Sequence, residues 1–193
     1  IVSENRPEWL IAELAILATG AIAVPTYTTN TVNDHTHVLT DSGAVGAIVS
    51  NSQLAERLLP AAMRSANTNF VIGMEPLPSQ QDSGLTLYDW AGVSEQGRSS
   101  TEDIIKRATA LEGNATAVII YTSGTGGVPK GVMLDHKALL HNCRGAADAL
   151  AEMGLGNDVF LSFLPLSHSY EHLAGQFFPI YVGAQIYYAE GIE

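Results

Sequence analysis

The stretch "ATAVIIYTSGTGGVPKG", residues 115–131, joins an apolar run to a segment rich in glycine and small hydroxyl side chains. A short apolar run that ends at turn-forming residues predicts a strand buried on both faces. Glycine after such a strand indicates that the backbone comes close to a ligand. Lys130 indicates that this ligand carries negative charge. The stretch therefore predicts an anion-binding loop at the end of a buried strand.

The pattern of apolar strands between helices continues on both sides of this stretch. Strands that are apolar throughout and alternate with helices predict a mostly parallel sheet covered on both faces, so the predicted fold class is α/β. Further strands are predicted at 21–26, 44–50, 69–74, 159–164 and 184–189, and helices at about 6–19, 33–40, 51–65, 102–110, 136–153 and from 169 onward.

The first predicted helix has boundary signals at both ends. Asn5 is its predicted N-cap, with Pro7 in the first turn and Glu8 as the partner in a capping box. Gly20 is predicted to end the helix. Because the helix is apolar on nearly all sides, we expect it to be buried.

A change in composition at residues 75–101 divides the chain into two predicted α/β subregions. Loop-like stretches, "EPLPSQQDSG" and "SEQGRSST", surround an apolar island there. The first subregion is residues 1–101, and the second, residues 102–193, carries the glycine-rich loop.

Charge and cysteine content argue against several classes of protein. The 193 residues include 20 acidic and 9 basic ones, and the net charge of −11 argues against a nucleic-acid or anionic-membrane surface. Cys143 is the only cysteine, so no internal disulfide is expected and a cytoplasmic location is predicted. The apolar stretch 9–24 is interrupted by Glu13 and Gly20 and is short for a transmembrane helix.

Two familiar phosphate-binding motifs do not fit the glycine-rich loop. The Walker A motif requires Gly before its lysine and Ser or Thr after it, whereas Lys130 stands between Pro129 and Gly131. The dinucleotide fingerprint requires its third glycine at the position that Pro129 occupies. Donors for an anion are still present, in the backbone of Gly124, Gly126 and Gly127 and the side chains of Thr122, Ser123, Thr125 and Lys130.

The segment "YTSGTGGVPKGVMLDH" resembles the phosphate loop of the AMP-forming acyl-CoA synthetases, also called adenylate-forming enzymes. The family pattern is an aromatic residue followed by T-S-G-[ST]-T-G-x-P-K-G. The chain departs from it at Gly126, where the family usually has threonine, so one hydroxyl group is lost. The matching positions are Tyr121, Thr122, Ser123, Gly124, Thr125, Gly127, Pro129, Lys130 and Gly131.

Three further segments resemble parts of the same family. "SENRPEW" is similar to an early family segment, and "GAIAVPTY" is similar to the strand after the first helix. "FLPLSHSYEH" is most similar to the long-chain fatty acid–CoA ligases. The resemblance therefore covers nearly the whole chain.

The resemblance implies a two-step reaction in which a fatty acid reacts with ATP to give acyl-adenylate and pyrophosphate, and the acyl group then passes to CoA. It implies that Thr122 helps to hold Mg²⁺ and that His168 positions the carboxylate or the adenylate phosphate, although a histidine there can also cap the next helix. The cofactor-binding residues expected from the resemblance are Tyr121, Thr122, Ser123, Gly124, Thr125, Gly126, Gly127, Val128, Pro129 and Lys130.

Later elements of the family do not occur in these 193 residues. They include the glutamate that completes the Mg²⁺ site, the ribose-binding aspartate, the hinge and the lysine of the C-terminal lid domain. We therefore expect an N-terminal portion of a longer enzyme that is inactive by itself, exposes apolar surface and tends to dimerise. The full-length protein is expected in the cytoplasm, with peripheral membrane association as a further expectation. An enzyme that loads a carrier protein and a non-catalytic nucleotide-binding module are the alternatives.

A zinc hydrolase is a more remote alternative. His168, Glu171 and His172 match the inverted zinc-peptidase motif H-x-x-E-H. A third protein ligand would be needed, and only Glu190 and Glu193 lie downstream. The other histidines lack ligand spacing with a third partner and are interpreted as structural or surface residues: His35, His37, His136 and His141.

Overall fold

The computed structural model describes residues 1–78, 84–122, 128–154 and 157–189, and it has the predicted α/β fold. The helices are α1 (Pro7–Ala18), α2 (Val32–Ser42), α3 (Ser52–Arg64), α4 (Trp90–Arg98), α5 (Ile104–Thr109), α6 (His136–Leu150), α7 (Ser169–Glu171) and α8 (Phe178–Val182), with a 3₁₀ turn at Ala151–Met153 and a π-helical turn at His172–Phe177. The strands are β1 (Gly46–Val49), β2 (Phe70–Gly73), β3 (Thr86–Asp89), β4 (Thr116–Thr122), β5 (Lys130–Asp135), β6 (Val159–Ser162) and β7 (Gln185–Tyr188).

The first sheet is parallel, in the order β1-β2-β3. Single bridges extend this sheet: Val2 pairs with Val49 on one side and Thr26 on the other, and Ala23 pairs with Val118 of β4. The chain near residues 1–3 and 23–26 therefore lies between β1 and the β4–β5 hairpin. The predicted strand at 21–26 is reduced to these two bridges in the described structure.

The β4–β5 pair is antiparallel, which the prediction of a mostly parallel sheet did not include. Only residues 123–129 separate the two strands. A parallel pair requires a crossover of about a dozen or more residues, so a connection this short folds back as a hairpin. The chain after the glycine-rich stretch consequently continues as strand β5 and not as a helix.

Helices cover both faces of the first sheet. Ala47, Val49 and Val71 face Leu58 and Leu59 of α3 in one buried cluster. On the other face, Trp9 of α1 lies in a cluster with Ile48 of β1 and Ile186 of β7. Helix α1 thus packs between the first sheet and the parallel β6–β7 pair.

Two expectations for α1 are wrong. The N-cap is Arg6, without a side-chain cap bond, because the Asn5 amide instead donates to Leu164 O at 2.8 Å, next to β6. The helix is also not buried on all sides, since Ile11 is 55% exposed and Leu14 is 39% exposed. Helix α1 ends before Gly20, at φ 77°, as predicted.

The remaining helix boundaries mostly follow the sequence signals. The Asn51 side chain caps α3 by accepting from Leu54 N at 2.9 Å, and α2 ends at Gly43 in a left-handed conformation. One buried cluster combines Leu17 and Ala23 with Val118 and Leu139. It therefore contains residues from both predicted subregions, 1–101 and 102–193. The division into two subregions stays a prediction.

Candidate functional site

The site is built around the end of the β4–β5 hairpin at which residues 123–129 connect the two strands. Thr122 is the last residue of β4, Lys130 is the first residue of β5, and the two are direct cross-strand partners. Opposite residues of an antiparallel pair have Cβ atoms about 4.5–5.5 Å apart on the same face. The predicted metal-holding hydroxyl and the predicted phosphate-binding ammonium are therefore neighbours, and both residues are exposed.

The structure describes half of the predicted cofactor-binding segment. Tyr121, Thr122, Val128, Pro129 and Lys130 are described, and Val128 is exposed. The predicted contacts of Ser123, Gly124, Thr125, Gly126 and Gly127 lie outside the described residues.

Lys130 carries a charge that the described part of the chain leaves uncompensated. The ion pairs found there involve Arg6, Arg98, Arg107 and His172, and none includes Lys130. An exposed ammonium at a strand end, next to a threonine hydroxyl, suits a phosphate group. The protein has a net charge of −11, so Lys130 places a local positive charge on an otherwise negative molecule.

Tyr121 occupies the opposite face of the hairpin from Thr122, because successive side chains of a strand alternate. Its hydroxyl donates to Asp41 Oδ2 of α2 at 2.7 Å. Burial, reinforced by the hydrogen bond and negative charge of Asp41, raises the pKa of the Tyr121 hydroxyl above its ordinary range. The phenol is therefore a stable neutral donor that connects the hairpin to α2.

His37 makes a second contact between α2 and the hairpin. Its Nε2 lies 2.9 Å from Pro129 O, and its ring meets the Tyr121 ring edge to face at 5.9 Å. His37 and Asp41 were not predicted site residues, and His37 was interpreted as structural or surface. Their i, i+4 spacing places them on one helical face, but their partners lie far away in sequence.

His168 lies just before α7 and is exposed. Its Nδ1 accepts a hydrogen bond from Tyr170 N at 3.2 Å, which is the helix-capping arrangement considered as the alternative for this residue. The cap fixes the ring and leaves Nε2 to carry the proton of a neutral imidazole. The hydrogen bonds of the described residues do not join His168 to Thr122 or Lys130.

The residues of the zinc-like motif separate in space. His172 is buried, and its Nε2 lies 2.7 Å from Glu13 Oε1 in α1. Glu171 is buried beside Gly175, whereas His168 faces solvent. Within the ranges that the structure describes, no three His, Cys, Asp or Glu side chains form a group that could hold a metal. The arrangement gives zinc hydrolysis no support.

A cleft of about 520 Å³ is lined in part by Ser167, the residue before His168. Its lining includes Glu75 after β2, Phe163 after β6 and Ala189 after β7, so it opens at the carboxyl ends of strands. This is where open α/β sheets bind ligands. Arg6 reaches into the cleft and is held by ion pairs to Glu4 at 3.3 Å, Glu8 at 2.9 Å and Glu75 at 2.8 Å.

The fold and this hairpin define an α/β module suited to binding the phosphates of a nucleotide. The AMP-binding enzyme family matches the chain over residues 1–193, and the chain belongs to that family. The chain is 32% identical to the long-chain-fatty-acid–CoA ligase heimdall of Drosophila melanogaster, over 95% of its own length and 27% of the relative's. It is 34% identical to the peroxisomal long chain acyl-CoA synthetase 7 of Arabidopsis thaliana, over 97% of its length and 26% of the relative's.

Solved structures with the same fold include a red-emitting luciferase from Phrixothrix hirtus. The TM-score is 0.80 at 18% identity, over 100% of this chain and 36% of the luciferase. The adenylation and carrier didomain of a carboxylic acid reductase from Segniliparus rugosus, in complex with AMP, gives a TM-score of 0.78 at 16% identity, over 97% of this chain and 28% of that one. None of the helices in the described ranges is long and apolar enough to span a membrane.

Proposed function

We propose that this chain is the N-terminal portion of an ATP-dependent long-chain acyl-CoA synthetase. The enzyme adenylates a fatty acid, releasing pyrophosphate, and then transfers the acyl group to CoA. The observation that carries the proposal is the pairing of Thr122 with Lys130 at the hairpin end, in a chain of the AMP-binding enzyme family. Because the chain spans about a quarter of the curated relatives that it matches, the activity of the whole protein is part of the proposal.

The residues at the hairpin fit a nucleotide with Mg²⁺. Mg²⁺ usually keeps several waters and takes few protein ligands beside substrate phosphates, so one exposed hydroxyl such as that of Thr122 suits it. When bound, the metal neutralises charge on the phosphate oxygens. Lys130 would hold the β- and γ-phosphates from the neighbouring position of the same face.

No activated side-chain nucleophile is needed, because the fatty acid carboxylate itself attacks the α-phosphate. The protein has to bring two anions together and stabilise the charge that develops on the leaving pyrophosphate. Lys130 supplies that charge stabilisation, and His168, with its ring fixed by the Tyr170 N–H, positions the carboxylate or the adenylate phosphate.

The acyl acceptor has a second candidate. The chain is 30% identical to a chloroplastic long-chain-fatty-acid–[acyl-carrier-protein] ligase of Arabidopsis thaliana, over 97% of its length and 27% of the relative's. A carrier-protein thiol is therefore the alternative to CoA. We also propose a cytoplasmic location and, for the 193-residue chain by itself, no thioester formation and a tendency to dimerise.

The test of adenylation is ATP–pyrophosphate exchange by the full-length protein with a panel of carboxylic acids. We expect exchange with long-chain fatty acids, and exchange with none of the acids would overturn the proposal. Comparing CoA with a carrier protein as acceptor then decides the second step. Thioester formation by the isolated 193-residue chain would contradict the expectation that it is incomplete.

A charge-removing variant tests the role assigned to the hairpin. In the full-length protein, Lys130→Ala should lower the exchange rate by roughly 10²–10³-fold, the effect of removing one group that stabilises charge in the transition state. Lys106→Ala is the matched control, because Lys106 is also exposed and lies in α5. Equal rates for the two variants would remove Lys130 from the site.

A further inference from the structure

Helix α2 touches the β4–β5 hairpin at two points that bracket its tip. Asp41 Oδ2 accepts from the Tyr121 hydroxyl at 2.7 Å, one residue before Thr122. His37 Nε2 lies 2.9 Å from Pro129 O, one residue before Lys130. One helical face thus contacts the hairpin immediately next to both residues of the Thr122–Lys130 pair.

The chemistry of each contact fixes the direction of the hydrogen bond. Pro129 O can only accept, so His37 Nε2 carries a proton and donates whether the imidazole is neutral or charged. Proline also has a nearly fixed φ, so holding its carbonyl restrains the entry of the chain into Lys130. On the other strand, the Tyr121 hydroxyl stays protonated because burial and Asp41 raise its pKa.

Gly131 has no side chain, and this leaves room for the Tyr121 ring. The two residues are cross-strand partners. A Cβ on Gly131 would lie 2.7 Å from Ile119 Cγ2 and 3.2 Å from Tyr121 Cζ. The contact with Ile119 would require a shift, and the Tyr121 ring would have to move by a few tenths of an ångström, so glycine at this position leaves the ring undisturbed in its contact with Asp41.

Helix α2 is itself held at both ends. Thr31 and Asp34 form a capping box at its start, with Thr31 N donating to Asp34 Oδ2 at 2.8 Å. Gly43, at φ 66°, ends it, and β1 begins three residues later at Gly46. Its buried Val38 and Leu39 face inward. A helix fixed in this way is a rigid support for a precise site.

We propose that His37 and Asp41 are positioning residues for the nucleotide phosphates, acting through Pro129 and Tyr121 to hold Lys130 and Thr122 in register. This inference rests on the proposed function and extends it to α2. The two side chains do not touch the nucleotide. They set the separation and orientation of the two hairpin residues that do.

The test compares hydrogen-bond deletions with conservative replacements in the full-length enzyme. We call the two hydrogen bonds between α2 and the hairpin the α2 clamp. His37→Phe and Tyr121→Phe each remove one of these hydrogen bonds, and Asp41→Ala removes the acceptor of the Tyr121 hydroxyl. We expect each deletion to raise KM for ATP by about five- to tenfold, the equivalent of one hydrogen bond, with little change in KM for the fatty acid. His37→Gln, which retains an N–H donor, and Asp41→Asn, which retains an acceptor, should restore most of the affinity for ATP.

Tyr188→Phe is the matched control. The Tyr188 hydroxyl donates to Gln176 Oε1 at 2.8 Å and is part-buried like that of Tyr121, but it lies away from the hairpin. The two variants should lose similar thermal stability, and only Tyr121→Phe should change KM for ATP. An unchanged KM in all three deletions, or the same rise in Tyr188→Phe, would overturn the inference.

Failure of the inference can be told apart from failure of the proposed function. If the unaltered enzyme supports no exchange with any acid, adenylation fails, and the clamp is then judged by the Kd of a fluorescent ATP analogue in the same variants. A five- to tenfold weaker Kd in the three deletions supports the clamp. Unchanged Kd values, or no binding by the unaltered protein, would overturn it.

Discussion

Two helical regions of this protein each carry a pair of histidines, and the pairs serve different purposes. In α2, His35 is buried and His37 reaches the hairpin through Pro129. In the segment from 168 to 182, His172 is buried and His168 faces solvent. The buried members differ in their partners: His172 Nε2 lies 2.7 Å from Glu13 Oε1, whereas no side-chain hydrogen bond of His35 is found among the described residues. Nδ1 of both buried rings lies without a hydrogen-bond partner in the described structure. In each pair the buried histidine, His35 or His172, is structural, and the other, His37 or His168, is the one that can contribute to a site. Burial distinguishes them, and their spacing in the sequence does not.

The largest effect is expected where a buried partner is removed. His172→Leu leaves the Glu13 carboxyl group, which is 0% exposed, without its partner. Because both groups are fully buried, leaving one without its hydrogen-bond partner should lower the free energy of unfolding by about 3 kcal/mol. Urea or thermal unfolding of the variant measures this change.

Two matched controls test the buried pair: one keeps a hydrogen-bond acceptor at position 13, and the other removes both polar side chains. Glu13→Gln retains an acceptor for His172 and should cost less than His172→Leu. The double variant Glu13→Leu with His172→Leu removes both polar groups and should recover part of the loss. If His172→Leu unfolds like the unaltered protein, the contrast between the two buried histidines fails.

The next effect is a dependence of stability on pH from His35. Burial, with the positive charge of Arg57, lowers the pKa of His35 to about 4 from the usual 6.5. The unfolded chain then takes up the proton first, so stability is retained above about pH 6.5 and lost as the pH falls toward 4. The loss in this interval should be at most about 3 kcal/mol.

His35→Leu removes that titration while keeping a side chain of similar size. Unfolding of the variant should depend less on pH between about 6.5 and 4, and deleting a buried unpartnered nitrogen should not destabilise it at pH 7. Parallel stability curves for the two proteins over this interval would show that His35 does not contribute.

The smallest effect on stability is expected for the exposed histidine. His168→Ala removes the bond from Tyr170 N to Nδ1, and loss of a cap costs about 1 kcal/mol. Adenylation should fall about tenfold or more in the same variant, because the proposed function assigns His168 to positioning the carboxylate. His141→Ala, also exposed and lying in α6, is the control for both measurements. A loss of stability without a loss of activity would leave His168 with a capping role alone.

Local signals in the sequence predicted the elements well where one residue decides the backbone. The end of α1 at Gly20 is confirmed. The Asn51 cap of α3 and the left-handed Gly43 after α2 are boundaries of the same local kind. The N-cap at Asn5 is wrong, because its amide has a better-placed acceptor at Leu164, far along the chain. The full burial of α1 is wrong as well, since apolarity alone does not say which sides of a helix have neighbours.

The candidate site also has one part that the sequence predicted and one part that only the structure reveals. The residue types at 121–131 and the family pattern predicted Thr122 and Lys130 as functional residues, and the hairpin brings those two together. The contribution of α2 was not predictable, because the partners of His37 and Asp41 lie 92 and 80 positions away. Nor could the zinc-like spacing of His168 and His172 reveal that one faces solvent and the other pairs with Glu13.

The sequence by itself determined the α/β class and several helix ends, and it predicted phosphate binding at the glycine-rich stretch. These depend on side-chain volume, backbone freedom and hydrogen-bonding groups within a few residues of one another. Only the tertiary structure decided that β4 and β5 are antiparallel, that α2 contacts Tyr121 and Pro129, and that His172 is half of a buried pair. Such features depend on which distant segments share a face of the sheet, and that is settled by packing over the whole molecule.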